Sequence, residues 1–352
     1  MTGGGTAGHV TPNIALIPAL QRRGYDIHYL GTKDGIERKL IENVPNVTYH
    51  PIRSGKLRRY FSMKNFSDPF RVIGGYFDCR RVFKSIHPTA IFSKGGFVSV
   101  PVCIAGKCSK IPVVLHESDY TPGLANKIAI HFASKVLVTF EDTLPLTKGK
   151  GICTGTPIRE GLLCGERQKG LSLCGFDGNK PVLLCMGGSQ GAGSINEALR
   201  NALYEFLQGF DVIHICGPCK VSADHNDIRG YKQFDYVDDE LSDLFACTDV
   251  VMSRAGANSV FEFLALSLPA LLIPLPLTAS RGDQIQNADY FKRKGYAAVL
   301  EQENVNEKTL VQSIEELYAA REQYIQNMKA ASEKCGTNAV IAQICTIMDS
   351  PL

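Results

Sequence analysis

Four short runs hold the residues of this chain best suited to chemistry. Three are glycine-rich: Gly3-Gly4-Gly5-Thr6-Ala7-Gly8-His9, Ser93-Lys94-Gly95-Gly96-Phe97-Val98-Ser99-Val100-Pro101 and Met186-Gly187-Gly188-Ser189-Gln190-Gly191-Ala192. Glycine lets the backbone turn tightly and approach a ligand, and a helix start just beyond offers free amides to an anion. Such an interaction contributes about 0.3 to 1 kcal/mol, and up to about 2 when partly buried. Phosphate recognition is the first chemistry these runs predict. The fourth run is Ser253-Arg254-Ala255-Gly256-Ala257-Asn258-Ser259-Val260-Phe261-Glu262. Its strand, glycine turn and helix start, with Ala257, Asn258 and Ser259 in the first turn, suit a diphosphate, and the carboxylate of Glu262 one turn on suits a ribose diol. Downstream, Arg281-Gly282-Asp283-Gln284 precedes another helix with side chains fitted to sugar hydroxyls.

Other chemistries fit less well. Gly3-x-Gly5-x-x-Gly8 has the spacing of a dinucleotide fingerprint, but no clear acid closes the following strand, where Leu30 leads into Gly31-Thr32-Lys33 before Asp34. Cys216-Gly217-Pro218-Cys219 copies a thioredoxin-type motif, in which a helix start would lower a thiol pKa, yet the rest of that fold has no counterpart. A zinc site from these cysteines with His214 and His225 lacks a second paired motif at standard spacing.

The elements that must position these loops alternate between strand and helix along the whole chain, which predicts parallel sheets covered by helices. In the first half the strand candidates are residues 27–30, 90–93, 113–116, 135–139 and 152–154; in the second they are 182–186, 212–216, 233–236, 250–253, 270–273 and 297–300. Residues 155–180, polar and glycine-rich, read as an irregular hinge with the boundary near Gly155, and residues 338–349 as a final helix. A length of 352 residues agrees with two units, since one domain holds about 100 to 150. Ligands of such sheets sit beyond the carboxyl ends of the strands. Similar loops opening two similar halves predict a cleft between domains with a phosphate-bearing ligand at its walls.

Composition narrows the setting. The longest apolar runs, such as Leu268 to Leu277 with its three prolines, fall short of the about 20 residues a spanning helix needs, and the start resembles no secretory signal, so a cytoplasmic location is expected. The 12 cysteines lie mostly alone within apolar stretches, as buried residues of a reducing compartment. Net charge is only +3, but Arg53 to Lys84 holds nine Lys or Arg against Asp68 and Asp78. Lys56, Arg58, Arg59, Tyr60, Phe61, Lys64, Phe66, Phe70 and Arg71 mix charge with aromatics, as suits anionic lipid headgroups; no nucleic-acid-reading module accompanies them.

Taken together and in order, Gly4-Gly5-Thr6-Ala7-Gly8-His9, Gly95-Gly96-Phe97, His116-Glu117-Ser118, Gly187-Gly188-Ser189-Gln190-Gly191 and Arg254-Ala255-Gly256 through Glu262 resemble the MurG family. Its members move N-acetylglucosamine from UDP-N-acetylglucosamine to undecaprenyl-pyrophosphoryl-MurNAc-pentapeptide (lipid I) in peptidoglycan synthesis. The variants His116-Glu117-Ser118-Asp119 and Ser280-Arg281-Gly282-Asp283-Gln284 look like its Gram-positive (Firmicutes) branch. The resemblance implies a GT-B fold: two Rossmann-like domains with an acceptor-binding domain over 1–155, a UDP-N-acetylglucosamine-binding domain over 156–334, and a helix in 335–352 returning to the first. It implies Arg159, Ser189 and Ser259 near the diphosphate, backbone at Val237 reading uracil, Glu262 on the ribose, and Gln284 with Asp283 on the N-acetylglucosamine. His9 and the amides of Thr6, Ala7 and Gly8 would face the acceptor and the transferred sugar. It also implies a peripheral enzyme at the cytoplasmic face of the bacterial membrane, with cell-wall synthesis proteins as possible partners. Relatives carry an apolar strand before the first glycine loop. Here only Met1 and Thr2 precede it, so the central strand of the first sheet is expected to be missing, through a misplaced start codon or a clipped N-terminus. Asp119 stands where many relatives carry Asn.

The reaction expected is direct displacement at the anomeric carbon, with the leaving diphosphate stabilised by Arg159, Ser189, Ser259 and helix amides, and with neither metal nor other cofactor. His9, Glu117 and Asp119 are the candidate bases. An unperturbed histidine accepts a proton near neutral pH more readily than a carboxylate, which favours His9. A diacylglycerol glycosyltransferase, a UDP-sugar epimerase of the same fold and a non-enzymic sugar-binding or redox-sensing module are the rival readings.

Overall fold

Strand β1 (Ile27–Gly31) pairs in parallel with β2 (Val47–Pro51), and β3 (Ile91–Ser93), β4 (Val113–Glu117), β5 (Lys135–Val138) and β6 (Gly151–Cys153) form a second parallel set in that order. The computed structural model describes residues 1–55, 68–188, 191–280, 282–331 and 335–349. Its backbone divides into two units, Met1–Arg159 with Cys335–Leu352, and Glu160–Lys334. In the first unit a single residue links the two sets of strands. Thr2 bridges to Leu30 on one side and to Ser93 on the other; its amide donates to the Phe92 carbonyl at 2.9 Å and its carbonyl accepts from Lys94 at 2.9 Å. With Thr2 in first place, the order across the unit is that of a doubly wound sheet: third, second, first, fourth, fifth strand and onward. Toward the amino ends of β1 and β3 a cavity of about 330 Å³ lies among Ile27, His28, Ile91, Phe92, Phe83 and Ile344. The Met1 α-amino group beside it donates to the His28 carbonyl at 2.5 Å, and burial pushes its pKa down to about 5.

β4 shows why these strands form. Val113-Val114-Leu115-His116-Glu117 is buried along its whole length, as expected of a parallel strand covered on both faces. β2 escaped the sequence reading, because it is a half-exposed strand ending in His50 and Pro51 with little apolar run to mark it. Helix Thr11–Gln21 starts with proline in its first turn and buries Leu16, Ile17 and Leu20. Against these pack Val340, Ile341 and Ile344 of helix Thr337–Asp349, so the chain's final helix belongs to the first unit's core.

The strands of the second unit are β7 (Val182–Met186), β8 (Asp211–Ile215), β9 (Tyr231–Phe234), β10 (Val250–Ser253), β11 (Ala270–Leu272) and β12 (Ala297–Val299). They lie in the order β12-β11-β10-β7-β8-β9, all parallel. The order reverses between β7 and β10, and the loops leaving those strands flank the crevice this creates. β9 runs two residues earlier than the 233–236 expected, which leaves Tyr236 exposed beyond its end. The stretch 155–180 is not an irregular hinge throughout. Helix Arg167–Cys174 forms within it and packs on helix Leu241–Cys247, where Gly170 admits the Asp243 carbonyl so closely that an added Cβ would lie 2.1 Å from it.

On β8, next to the edge strand β9, His214 is fully buried, with Nδ1 2.7 Å from the Tyr231 hydroxyl and Nε2 3.1 Å from Asn196 Oδ1. Burial pushes its pKa from 6.5 down to about 3. Below pH 6.5 the unfolded chain takes up a proton that the folded chain refuses, so its contribution is full above pH 6.5 and declines as pH falls toward 3. At pH 5 the loss is about 2 kcal/mol. Urea unfolding of the second unit should therefore be less stable at pH 5 than at pH 7, and His214→Gln should flatten that slope; equal slopes in both proteins would remove His214 as its source.

Candidate active site

In the first unit, the two glycine loops that leave the carboxyl edge interlock. Gly96 has φ +80°, and a Cβ there would lie 2.1 Å from the Gly4 carbonyl and 3.0 Å from the His9 ring; only glycine fits. A Cβ on Gly5 would meet the Phe97 ring at 2.5 Å. Thr6 precedes a short 3-10 turn, Ala7–His9, that leads directly into helix Thr11–Gln21. Asn13 of that helix ties the arrangement down, donating to the Thr2 and His9 carbonyls at 3.2 Å each, while the Tyr29 hydroxyl donates to the Gly3 carbonyl at 2.7 Å. Gly5, Thr6 and Gly8 stay exposed and His9 half-exposed.

A residue not marked by sequence holds the first loop from below. Glu37, fully buried in helix Ile36–Ile41, accepts from the Gly5 amide at 3.1 Å and from the Thr32 amide at 3.0 Å. It sits six residues past the end of β1, where only the fold brings it under Gly4 and Gly5. Glu117 at the end of β4 has a similar task. Its carboxylate accepts from the Asp119 amide at 2.9 Å, Asn126 Nδ2 at 2.8 Å and the Gly123 amide at 3.3 Å. Burial raises its proton affinity and these donors lower it. With both oxygens occupied, Glu117 shapes the 117–123 loop, on which Asp119 is half-exposed.

The second unit gathers a different set. Helix Ala257–Leu266 begins at Gly256, which has no side chain to cap it, and places Ala257, Asn258 and Ser259 in its first turn. Glu262 follows one turn along, half-exposed. Arg254, 7% exposed, braces this edge: Nη1 donates to the Ile273 carbonyl at 2.9 Å and Nη2 to Ser194 Oγ at 2.8 Å, joining the ends of β10 and β11 to helix Gly193–Asn201. Helix Asp283–Arg293 carries Asp283 and Gln284 in its first turn, and Gln284 Oε1 accepts from the Leu275 amide at 3.1 Å. Asn287 of the same helix donates to the Ala255 carbonyl at 3.0 Å, which fixes the two helix starts side by side. Val237 lies buried just past β9. Arg159 ends the leading segment of the first unit. Ser189, Gln190, Arg281 and the basic run from Lys56 to Phe66 lie outside the described residues.

The Cys216-Gly217-Pro218-Cys219 motif has no thioredoxin-like setting. The segment after β8 is a loop leading to the short turn Ala223–His225, so no helix start lowers a thiol pKa, and burial raises that of Cys216 despite Arg200 nearby. His214 has both nitrogens engaged by Tyr231 and Asn196.

Two doubly wound units, each with glycine turns and helix starts at the carboxyl edge of its first and fourth strands, define the class: a glycosyltransferase of the GT-B fold. Residues 1–138 match the glycosyltransferase family 28 N-terminal domain and residues 182–343 the family 28 C-terminal domain, and the chain belongs to that family. It is 51% identical over 346 residues to the UDP-N-acetylglucosamine--N-acetylmuramyl-(pentapeptide) pyrophosphoryl-undecaprenol N-acetylglucosamine transferase of Clostridium novyi, covering 98% of this chain and 97% of that one. The Lachnospira eligens enzyme of the same name is 52% identical over 335 residues, covering 95% and 94%. The crystal structure of Acinetobacter baumannii MurG superposes with a TM-score of 0.75 at 24% identity, covering 98% of each chain. The UDP-GlcNAc 2-epimerase of Neisseria meningitidis shares the fold, with a TM-score of 0.67 at 11% identity over 99% of each chain. The resemblance to the MurG family thus extends over nearly the whole sequence.

The interlocked loops make a direct prediction. Gly96→Ala should cost about 1 to 3 kcal/mol in backbone strain and about 1 to 3 more in overpacking against Gly4, seen as an earlier urea transition of the first unit. Gly209→Ala, where a Cβ meets nothing within 4 Å, should leave stability unchanged or slightly raised. Equal effects of the two would contradict the contact.

Proposed function

We propose that this protein transfers N-acetylglucosamine from UDP-N-acetylglucosamine to the 4-hydroxyl of the muramyl sugar of undecaprenyl-pyrophosphoryl-MurNAc-pentapeptide, with inversion at the anomeric carbon. The observation that carries this reading is 51% identity along 98% of the chain to a transferase named for that donor and acceptor. The site residues fit it chemically. The helix start at Ala257 to Ser259, with Ser189 and Arg159, stabilises the leaving diphosphate, where negative charge develops. Glu262 holds the ribose diol, Val237 backbone the uracil, and Gln284 with Asp283 the sugar. In the first unit the Thr6 to Gly8 amides and Gly95-Gly96-Phe97 face the acceptor. His9, half-exposed beside Gly96, takes the proton of the attacking hydroxyl, Asp119 binds the acceptor, and Glu117 holds the loop.

Incubation with labelled UDP-N-acetylglucosamine and a short-chain lipid I analogue should yield UDP and a disaccharide-lipid. Label released without acceptor would mean an epimerase, and label on diacylglycerol a lipid glycosyltransferase. Glu262→Ala should raise the donor KM far more than it lowers kcat, because a ribose contact is equal in ground and transition states. His9→Ala should lower saturating kcat by about 10² to 10⁴ and remove the acidic limb of its pH profile. If Asp119→Asn does this instead, Asp119 is the base.

The acceptor's lipid requires a membrane surface, and no helix among the described residues is long and apolar enough to cross one. Helix Asp68–Ile86 instead exposes Phe70, Ile73 and Phe77 at 75%, 54% and 61%, spaced by three and four residues on one stripe, with Arg71, Arg81 and Lys84 exposed on the same helix. This stripe docks on the cytoplasmic leaflet, the apolar side chains entering the headgroup boundary and the cations meeting anionic lipid. Co-sedimentation with anionic vesicles should weaken with salt and fall at least about tenfold in the Phe70→Ser, Ile73→Ser, Phe77→Ser triple variant, since each buried aromatic or aliphatic chain contributes about 1.5 to 3 kcal/mol. Undiminished binding by that variant would place the membrane contact elsewhere.

A further inference from the structure

Lys94 follows the last residue of β3 and opens the second glycine loop, yet it is only 1% exposed. Its ammonium donates to His116 Nδ1 at 2.8 Å and to Ser118 Oγ, and His116 Nε2 lies 2.9 Å from the Gly155 carbonyl. An ammonium can only donate and a carbonyl can only accept, so His116 must accept at Nδ1 and donate at Nε2. That is one neutral tautomer. Burial and the charge of Lys94 together hold the His116 pKa well below its ordinary value.

The chain of bonds reaches two places at once. Ser118 lies between Glu117, which organises the 117–123 loop, and Asp119, which that loop presents. Gly155 adjoins the segment that leaves the first unit, where the Thr156 carbonyl accepts from Gly336 at 3.0 Å and the Ile158 amide donates to Thr337 Oγ1 at 3.0 Å. Packing alone does not call for a cation here. A methionine would fill similar space without the several kcal/mol that burying a charge costs. What the ammonium adds is direction toward His116 and Ser118, and a positive charge within reach of the buried Glu117.

We propose that Lys94 is a positioning residue for glycosyl transfer, an interior cation that fixes His116 and Ser118 and through them the loop carrying Asp119. The proposal rests on the transferase reading above. Burial pushes the Lys94 pKa down to about 8, with Glu117 and Asp119 acting in the opposite direction. Among the described residues, His116 and Glu117 at the end of β4 and Asp119 on the loop beyond it are the titratable groups that face it; the first glycine loop brings Gly3 against its Cβ, and helix Leu124–Ala129 brings Asn126 against neighbouring Gly95. The cation is therefore present below about pH 8 and is lost as pH rises through that value.

The test compares wild type, Lys94→Met and Ser118→Ala in the lipid I assay from pH 6 to 9.5, with melting curves and ¹⁵N NMR of the histidine rings. Lys94→Met should lower kcat about 10- to 100-fold, as expected for misplacement near 1 Å, with the donor KM changed less than about twofold. The basic limb of the kcat profile near pH 8 should disappear with it, and the His116 signal should depart from the pure Nε2–H tautomer. Ser118→Ala should show a smaller fall in kcat with native melting, and it carries the test if Lys94→Met does not fold. Native kcat and pH profile in the variant measured, or a His116 signature unchanged in Lys94→Met, would overturn the role of Lys94. A wild type inactive on the lipid acceptor would instead overturn the transferase reading, and this proposal with it.

Discussion

Backbone meets backbone where the Gly96 α-carbon approaches the Gly4 carbonyl, and the first unit's site depends on that approach. The two loops leave strand positions on either side of the sheet's reversal, so they converge without further help from side chains. Convergence leaves no room for a methyl group, and it presses the His9 ring against Gly96 while bringing Phe97 over Gly5. The Gly5 amide is anchored on the buried Glu37 carboxylate, which holds the exposed residues Gly5, Thr6 and Gly8 of the loop in place. A loop free in solution would have to be ordered at each binding event. Here the ordering entropy is spent on folding.

Buried charge supplies the remaining rigidity, in a consistent pattern. Glu37, Glu117, Lys94 and Arg254 each lie within the protein at the carboxyl edge of a sheet, and each is hydrogen-bonded to main chain or to a short polar side chain of a loop. Ions so placed are costly to bury and cheap to keep once their bonds are made, because losing a partner leaves an unsatisfied charge. Loops braced in this way tolerate few alternative conformations. That suits a site in which amide dipoles must already point at the place where charge develops.

The second unit reaches a similar result by other means. Arg254 and Asn287 join the ends of β10 and β11 to two helix starts, so the amides of Ala257 to Ser259 and the side chains of Asp283 and Gln284 are displayed on neighbouring elements. Sharing one strand order, the two units place their loops at equivalent points of the sheet, yet they carry different chemistry. A histidine and carboxylates stand at the first, a glycine-led helix start followed by the Glu262 carboxylate at the second.

Much of this was legible in the residues themselves. Runs such as Val182 to Met186 declare buried parallel strands, and glycines ahead of helices declare tight turns, since both signals are local and depend only on neighbours in sequence. The family resemblance followed from the order of those same motifs. What local signals could not reveal were partners distant in the chain. Glu37, Lys94 and Arg254 carry no mark in the sequence of what they support, until the crossovers between strands place each beneath a loop. β2 and helix Arg167–Cys174 were likewise missed, because a half-exposed strand and a short helix owe their stability to packing rather than to pattern. Cys216-Gly217-Pro218-Cys219 was set aside from the sequence for want of a thioredoxin fold around it, and the loop after β8 agrees with that reading. Residue types thus determined which reactions were possible, and tertiary structure decided which groups are buried. Burial, by stripping away water, decides whether a charged side chain serves as support or as a reactive group.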